Sequence, residues 1–152
     1  MDPVARLADH SAQFPSSAIS KTTRDSAHAL LIDTIGCIFA GTNVEGMSGL
    51  LRAVERFGGD GPARVIGQNR YASPEDAAFL NAIACHSTDC DDTHDLSILH
   101  GCSVVVPALI ALCDAIGTVE GSLAKRTQAG FASAAGLLPP ISTKAIHAMS
   151  DS

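Results

Sequence analysis

The chain has 152 residues, enough for one domain with a substantial core, and its 46% hydrophobic and 17% charged content describes a globular protein rather than a disordered tail. A net charge of −6, from ten Lys+Arg against sixteen Asp+Glu with no basic run interleaved with aromatics, argues against nucleic acid as a partner. No apolar run reaches membrane-spanning length and no signal segment opens the chain, so a cytoplasmic, membrane-free protein is expected.

With 4% aromatic residues, no Trp and one tyrosine, Tyr71, the core has to be built from Ala, Leu, Ile and Val. In chain order, Val4 to Phe14 reads as a short amphipathic helix with Val4, Leu7, Ala8 and Ala12 on one side, broken by Pro15. A longer helix starts near Thr22–Thr23, carries Ala27, Leu31, Ile35, Ile38 and Phe39, and ends at Gly41, with Asp33 expected to be semi-buried. Met47 to Phe57 is a third helix, with Leu50, Leu51 and Val54 on one face and Gly58–Gly59 as the stop. Ala63 to Gly67 reads as a short extended segment. Ser73 as N-cap, Pro74 at the first helical position and Glu75–Asp76 in the first turn then start a helix running to about Ser87.

A polar loop follows from Thr88 to His100, then an apolar helix from about Ser103 to Ile116, in which Pro107 is tolerable only in the first turn. Leu123 to Leu138 is the sixth helical candidate, ended by Pro139–Pro140, and Ile141 to Ser152 reads as a loose tail. The fold class is all-α or nearly so. The cysteines Cys37, Cys85, Cys90, Cys102 and Cys113 are odd in number, without a CxxC pair, and most lie in apolar helical patterns. Reduced core thiols are therefore expected.

The stretch Asp89-Cys-Asp-Asp-Thr-His94, followed by His100-Gly101, is the densest polar cluster, held between two apolar helices. Three readings fit these residue types. Asp91, Asp92, His94 and His100 could ligate a divalent metal, although their spacing matches no closed ligand set. His100 could carry a proton while a carboxylate orients it. Or the aspartates cap helix ends and the histidines are ordinary loop residues.

The string Asn81-Ala-Ile-Ala-Cys-His-Ser-Thr-Asp-Cys-Asp-Asp-Thr-His94, then His100-Gly101 and Val104-Val-Val-Pro-Ala-Leu-Ile-Ala-Leu112, resembles the signature of the MmgE/PrpD family. Asp33-Thr-Ile-Gly-Cys-Ile-Phe-Ala-Gly41, Ala63 to Gly67 and Ser73 to Leu80 follow in the family's order, so the resemblance runs over roughly residues 4 to 117. A second block, Gly121 to Gly136, is similar to a family motif that normally lies much further along the chain. The resemblance thus implies a helical bundle corresponding to part of the family's helical domain over residues 1–138. It also implies an internal deletion near 117–121, the absence of the lid domain and a loose tail over 139–152.

The resemblance also implies an activity. The family includes 2-methylcitrate dehydratase, cis-aconitate decarboxylase and iminodisuccinate epimerase, lyases and isomerases that need no cofactor. Their small di- or tricarboxylate substrates lose a proton beside a carboxylate, followed by loss of water or carbon dioxide or by reprotonation. Residue by residue, Asp89 matches the family's first active-site aspartate and Thr93 the threonine of the same loop. His100 matches the histidine after the loop, and Lys125 the lysine of the second block. His100 would transfer the proton with Asp89 fixing its tautomer, Thr93 would bond substrate, and Lys125 would stabilise developing negative charge. The family's homodimers imply self-association through exposed helices. A helical binding or dimerisation domain without catalysis, and a small Asp/His metal-binding module, stand as the alternatives.

Overall fold

The computed structural model describes residues 2–94 and 98–117. The expected helix 123–138, Lys125 and the 139–152 tail lie outside the described residues. The described part is mostly helical. Its elements are α1 (Pro3–Gln13), α2 (Lys21–Gly41), α3 (Met47–Phe57), β1 (Ala63–Val65), β2 (Arg70–Ala72), α4 (Pro74–His86) and α5 (Gly101–Ala115).

The helix starts follow capping chemistry. Ser73 accepts the Asp76 amide and Pro74 opens α4, while Ser20 accepts the Thr23 amide two residues earlier than the sequence suggested for α2. Helix α1 is capped by Asp2, and Val4, Ala8 and Ala12 of its expected apolar face are exposed. Val4 is 71% exposed, and α1 packs on no other described element.

The core forms where α2, α4 and α5 pack side by side. Ile38, Cys37, Ala77, Leu80, Ala84, Cys85 and Ala111 make one buried cluster, on which Leu50, Leu51 and Val54 of α3 rest. A second cluster, Ala27, Cys102, Val106 and Ile110, joins the start of α2 to α5. Alanine and cysteine dominate the first cluster and let the helices approach closely. At Gly41 the approach is closest, since a Cβ there would stand 1.8 Å from the Ala84 carbonyl oxygen. Asp33, expected to be semi-buried, is exposed on α2. Four of the five cysteines are buried, Cys90 is exposed, and all five are free. Burial pushes the Cys85 thiol up to about 12 and raises Cys102 as well, so both are neutral packing groups at physiological pH.

The extended segment proved to be half of a hairpin. Strand β1 pairs antiparallel with β2, Arg64 opposite Tyr71, around a turn with Gly67 at φ +75°. Buried Asn81 of α4 ties the hairpin to the core, donating to the Arg64 carbonyl and accepting the Ile66 amide, so both polar ends of its amide are used. Asp114 near the end of α5 accepts from the Arg64 backbone and both arms of its guanidinium. Burial raises the Asp114 carboxyl, but these Arg64 hydrogen bonds outweigh it and hold the group below the usual carboxylate range.

Helix α5 begins at Gly101, two residues earlier than expected, which moves Pro107 out of the first turn. The proline is accommodated inside the helix, fully buried, and the Ser103 carbonyl loses its i+4 partner. Beyond α4 the chain reverses through Asp89, held in the left-handed region at φ 52°.

Both backbone features can be tested by substitution. Gly41→Ala should destabilise the chain by about 3 kcal/mol or more, because a methyl group has to part α2 from α4; an unchanged urea midpoint would refute the close-contact argument. Asp89→Gly should stabilise it by about 0.5–1 kcal/mol, since glycine adopts positive φ without the Cβ penalty. A lower melting temperature for that variant would show that the aspartate side chain supports the fold.

Candidate active site

The last turn of α4, the loop behind it and the first residue before α5 meet at one corner of the bundle. His86 closes α4, Asp89 and Asp91 lie on the loop, and His100 stands at the N-cap of α5. One ligand atom from each of these four side chains lies within 4.8 Å of all the others.

Asp91 is the centre of the cluster. Its side chain is 1% exposed, and its Oδ1 faces two imidazoles: His86 Nδ1 at 3.0 Å and His100 Nδ1 at 3.3 Å. The second contact is off line for a hydrogen bond, leaving His100 Nδ1 as a buried polar atom without an aligned partner; Thr88 Oγ1 is another. The two rings meet edge to face, 4.6 Å between centroids. Burial raises the Asp91 carboxyl, but hydrogen bonds from His86 and Ser103 outweigh it and hold the group below the usual carboxylate range. Asp91 is therefore an ionised acceptor in a nearly closed position.

Asp89 is placed differently. Its side chain is 81% exposed, and its Oδ1 stands 4.0 Å from His100 Nε2, too far for a direct hydrogen bond. In this geometry Asp89 makes no direct hydrogen bond to His100. Asp91 sits on Nδ1, and Asp89 faces the opposite nitrogen from the solvent side. Thr93 is on the same loop and exposed. Of the four residues anticipated, His100 and Asp89 are brought together, Thr93 lies beside them along the chain, and Lys125 is outside the described residues.

Asp92 and His94, anticipated as metal ligands with Asp91 and His100, have other work. Asp92 Oδ1 accepts the Cys102 amide at 3.0 Å and caps the start of α5. His94 forms an antiparallel bridge with Leu99, its amide donating to the Leu99 carbonyl. Sequence reasoning missed His86. Its signal was its place in the last turn of a helix, five residues before Asp91, where an imidazole reaches back across the following turn.

The electrostatics are dominated by carboxylates. On the neighbouring face of α2, Asp33 has its carboxyl raised by partial burial and then by the charges of Asp92 and Asp91. A cavity of about 460 Å³ lies elsewhere, between Leu31, Ile35 and Phe39 of α2, the hairpin and Ile110 of α5. None of the clustered histidines or aspartates lines it. At the loop, an imidazole flanked by two carboxylates, one buried and one open to solvent, can hold and pass a proton.

Comparison with known proteins fits these features. A family model described as the MmgE/PrpD N-terminal domain matches residues 5–136. The chain is 32% identical over 110 residues to a cis-aconitate decarboxylase-like protein of Aspergillus oryzae, covering 72% of this chain and 23% of that protein. It is 28% identical over 112 residues to a cis-aconitate decarboxylase of Aspergillus terreus, covering 74% of this chain and 23% of that enzyme. The match therefore spans about a quarter of the length of these curated relatives. Since the match takes in the helices, the hairpin and the His/Asp loop alike, the chain belongs to the MmgE/PrpD family.

Proposed function

We propose that this chain carries the proton-transfer loop of a lyase-type enzyme acting on small di- or tricarboxylates. His100 is the proton carrier, with Asp89 and Thr93 on the substrate side. The observation that carries this reading is the position of His100 between a buried and an exposed carboxylate. The relatives' names, which specify cis-aconitate decarboxylation, make cis-aconitate the first substrate to try. Removing a proton beside a carboxylate places negative charge on the substrate, and a protonated imidazole is the group nearest to hand that stabilises it.

The four clustered side chains supply carboxylates as well as imidazoles, so a polycarboxylate substrate needs further cations. Lys125 is the residue assigned to that role by the family pattern. A second copy of the chain, or another chain, would complete the cleft, and the exposed Phe39, Tyr71 and Leu112 offer apolar surface for such an association.

The test is proton NMR of the full chain with cis-aconitate, 2-methylcitrate and citrate in heavy water. Product formation or deuterium uptake at a substrate carbon is expected, reduced about 10²-fold or more in His100→Ala. Neither product nor exchange from a folded chain would overturn the reading in favour of a helical binding or dimerisation domain.

A metal-binding module is the second reading, favoured by the four donor atoms lying within 4.8 Å of one another. Its ligands would be His86, Asp89, Asp91 and His100 instead of the set suggested by the sequence. Zinc or manganese should then raise the melting temperature and remain bound after dialysis; loss of the metal without a shift disposes of it.

A further inference from the structure

We infer that His86 and Asp91 are positioning residues that decide which nitrogen of His100 faces the substrate. The inference rests on the reading of His100 as proton carrier and adds how that role is set.

An ionised carboxylate accepts hydrogen bonds and donates none. Asp91 is ionised, because hydrogen bonds from His86 and Ser103 overcome the effect of its burial. Any ring nitrogen within bonding reach of it must carry the hydrogen. His86 meets this condition, with Nδ1 at 3.0 Å from Oδ1 and 3.3 Å from Oδ2. His100 Nδ1, 3.3 Å from the same Oδ1, has its hydrogen directed by the same negative charge. Asp91, buried and 3.3 Å from Nδ1, outweighs the solvent-screened Asp89 at 4.0 Å from Nε2, so the neutral His100 ring should carry its hydrogen on Nδ1 and its basic lone pair on Nε2. That nitrogen looks toward the exposed Asp89, 4.0 Å away. A gap of this length lets a substrate atom or a water approach Nε2 while Asp89 stays close.

His86 sets how firmly Asp91 does this. It engages both oxygens of the carboxylate, while the His100 contact is stretched off line. The rings pack edge to face at 4.6 Å, so neither can turn without moving the other. His86 is half exposed at 53%, whereas the His100 side chain is 23% exposed. The outer imidazole thus braces the shared carboxylate, and the carboxylate aims the inner imidazole.

The experiment is nitrogen NMR of the histidine rings in the full chain labelled with ¹⁵N-histidine. Spectra are recorded near pH 9, above the ordinary imidazole range of about 6.5. His100 is assigned by its loss in His100→Gln. In the wild-type chain its Nδ1 should be protonated and its Nε2 bare, the reverse of the order in an unrestrained histidine. Asp91→Asn, which can donate as well as accept, should shift His100 to a mixture of tautomers. His86→Asn, which keeps a short N–H toward Asp91, should preserve the wild-type pattern, whereas His86→Leu should displace the His100 Nδ1–H resonance.

A wild-type His100 protonated at Nε2 overturns the inference even if every variant fails to fold. So does a ring pattern indifferent to both Asp91→Asn and His86→Leu in folded variants, because a purely structural pair would change stability and leave the tautomer alone. The measurement needs no turnover. A chain that shows the Nδ1–H tautomer but no reaction sinks the lyase reading and leaves this one standing. Where turnover is present, Asp91→Asn should lower kcat about 10²-fold or more with a smaller change in KM, the pattern of a misdirected base.

Discussion

The contact between Gly41 and Ala84 is the constraint on which the rest of the described structure depends. Two helices can approach this closely only where one has no side chain, and the space a Cβ would need is already taken by the Ala84 carbonyl. The contact fixes the last turn of α2 against the last turn of α4, and His86 lies two residues beyond Ala84. The site is thus built outward from a point of backbone contact. Asn81, one turn earlier on α4, extends the same rigid unit to the hairpin through its two amide hydrogen bonds. Packing and site share one helix, so a disturbance at the crossing reaches the imidazoles directly.

Around that helix end the problem is one of charge. Asp33, Asp89, Asp91 and Asp92 gather near one corner of a chain whose net charge is already −6. The structure separates their duties by burial and partner. Asp92 is spent on the amide of Cys102, Asp91 is buried against two imidazoles, and Asp89 is left in solvent. Similar residues within a short distance acquire different jobs from environment alone. Such a corner opposes an anionic ligand. A polycarboxylate can settle there only when histidine protons and outside cations offset the aspartates.

Much of this was legible in the sequence, for physical reasons. Ser73-Pro74 starts α4 because capping is local chemistry, and Met47 to Phe57 was bounded correctly because glycines stand at both ends. The loop carrying Asp89 and His100 stood out because charged side chains crowded between apolar helices are costly to keep there unless they cap, bind or react. What escaped depended on distant contacts. Strand β2 is three residues long and is held by pairing with β1 and by Asn81, so no periodicity could reveal it. Pro107 was expected to be tolerable only in a first turn because a proline costs a hydrogen bond, yet it lies inside α5, fully buried. His86 read as a helix-end residue, and Asp91 as one of three interchangeable carboxylates. Which carboxylate faces which ring nitrogen is a matter of ångströms, beyond the reach of spacing.

The bridge between His94 and Leu99 bears on how such a site tolerates change over evolution. The amide of His94 bonds the Leu99 carbonyl and the amide of Ile98 bonds the His94 carbonyl, so His94 is stitched to Ile98 and Leu99. Beside this stitch, the Asp92 carboxylate pins Cys102 and with it the start of α5. His100 is consequently placed by the stitch and the pin rather than by the number of residues in between. A change in the number of residues between His94 and Ile98 should cost mainly loop-closure entropy, which grows slowly with length. The separation in sequence between Thr93 and His100 is therefore less constrained than the place of the imidazole.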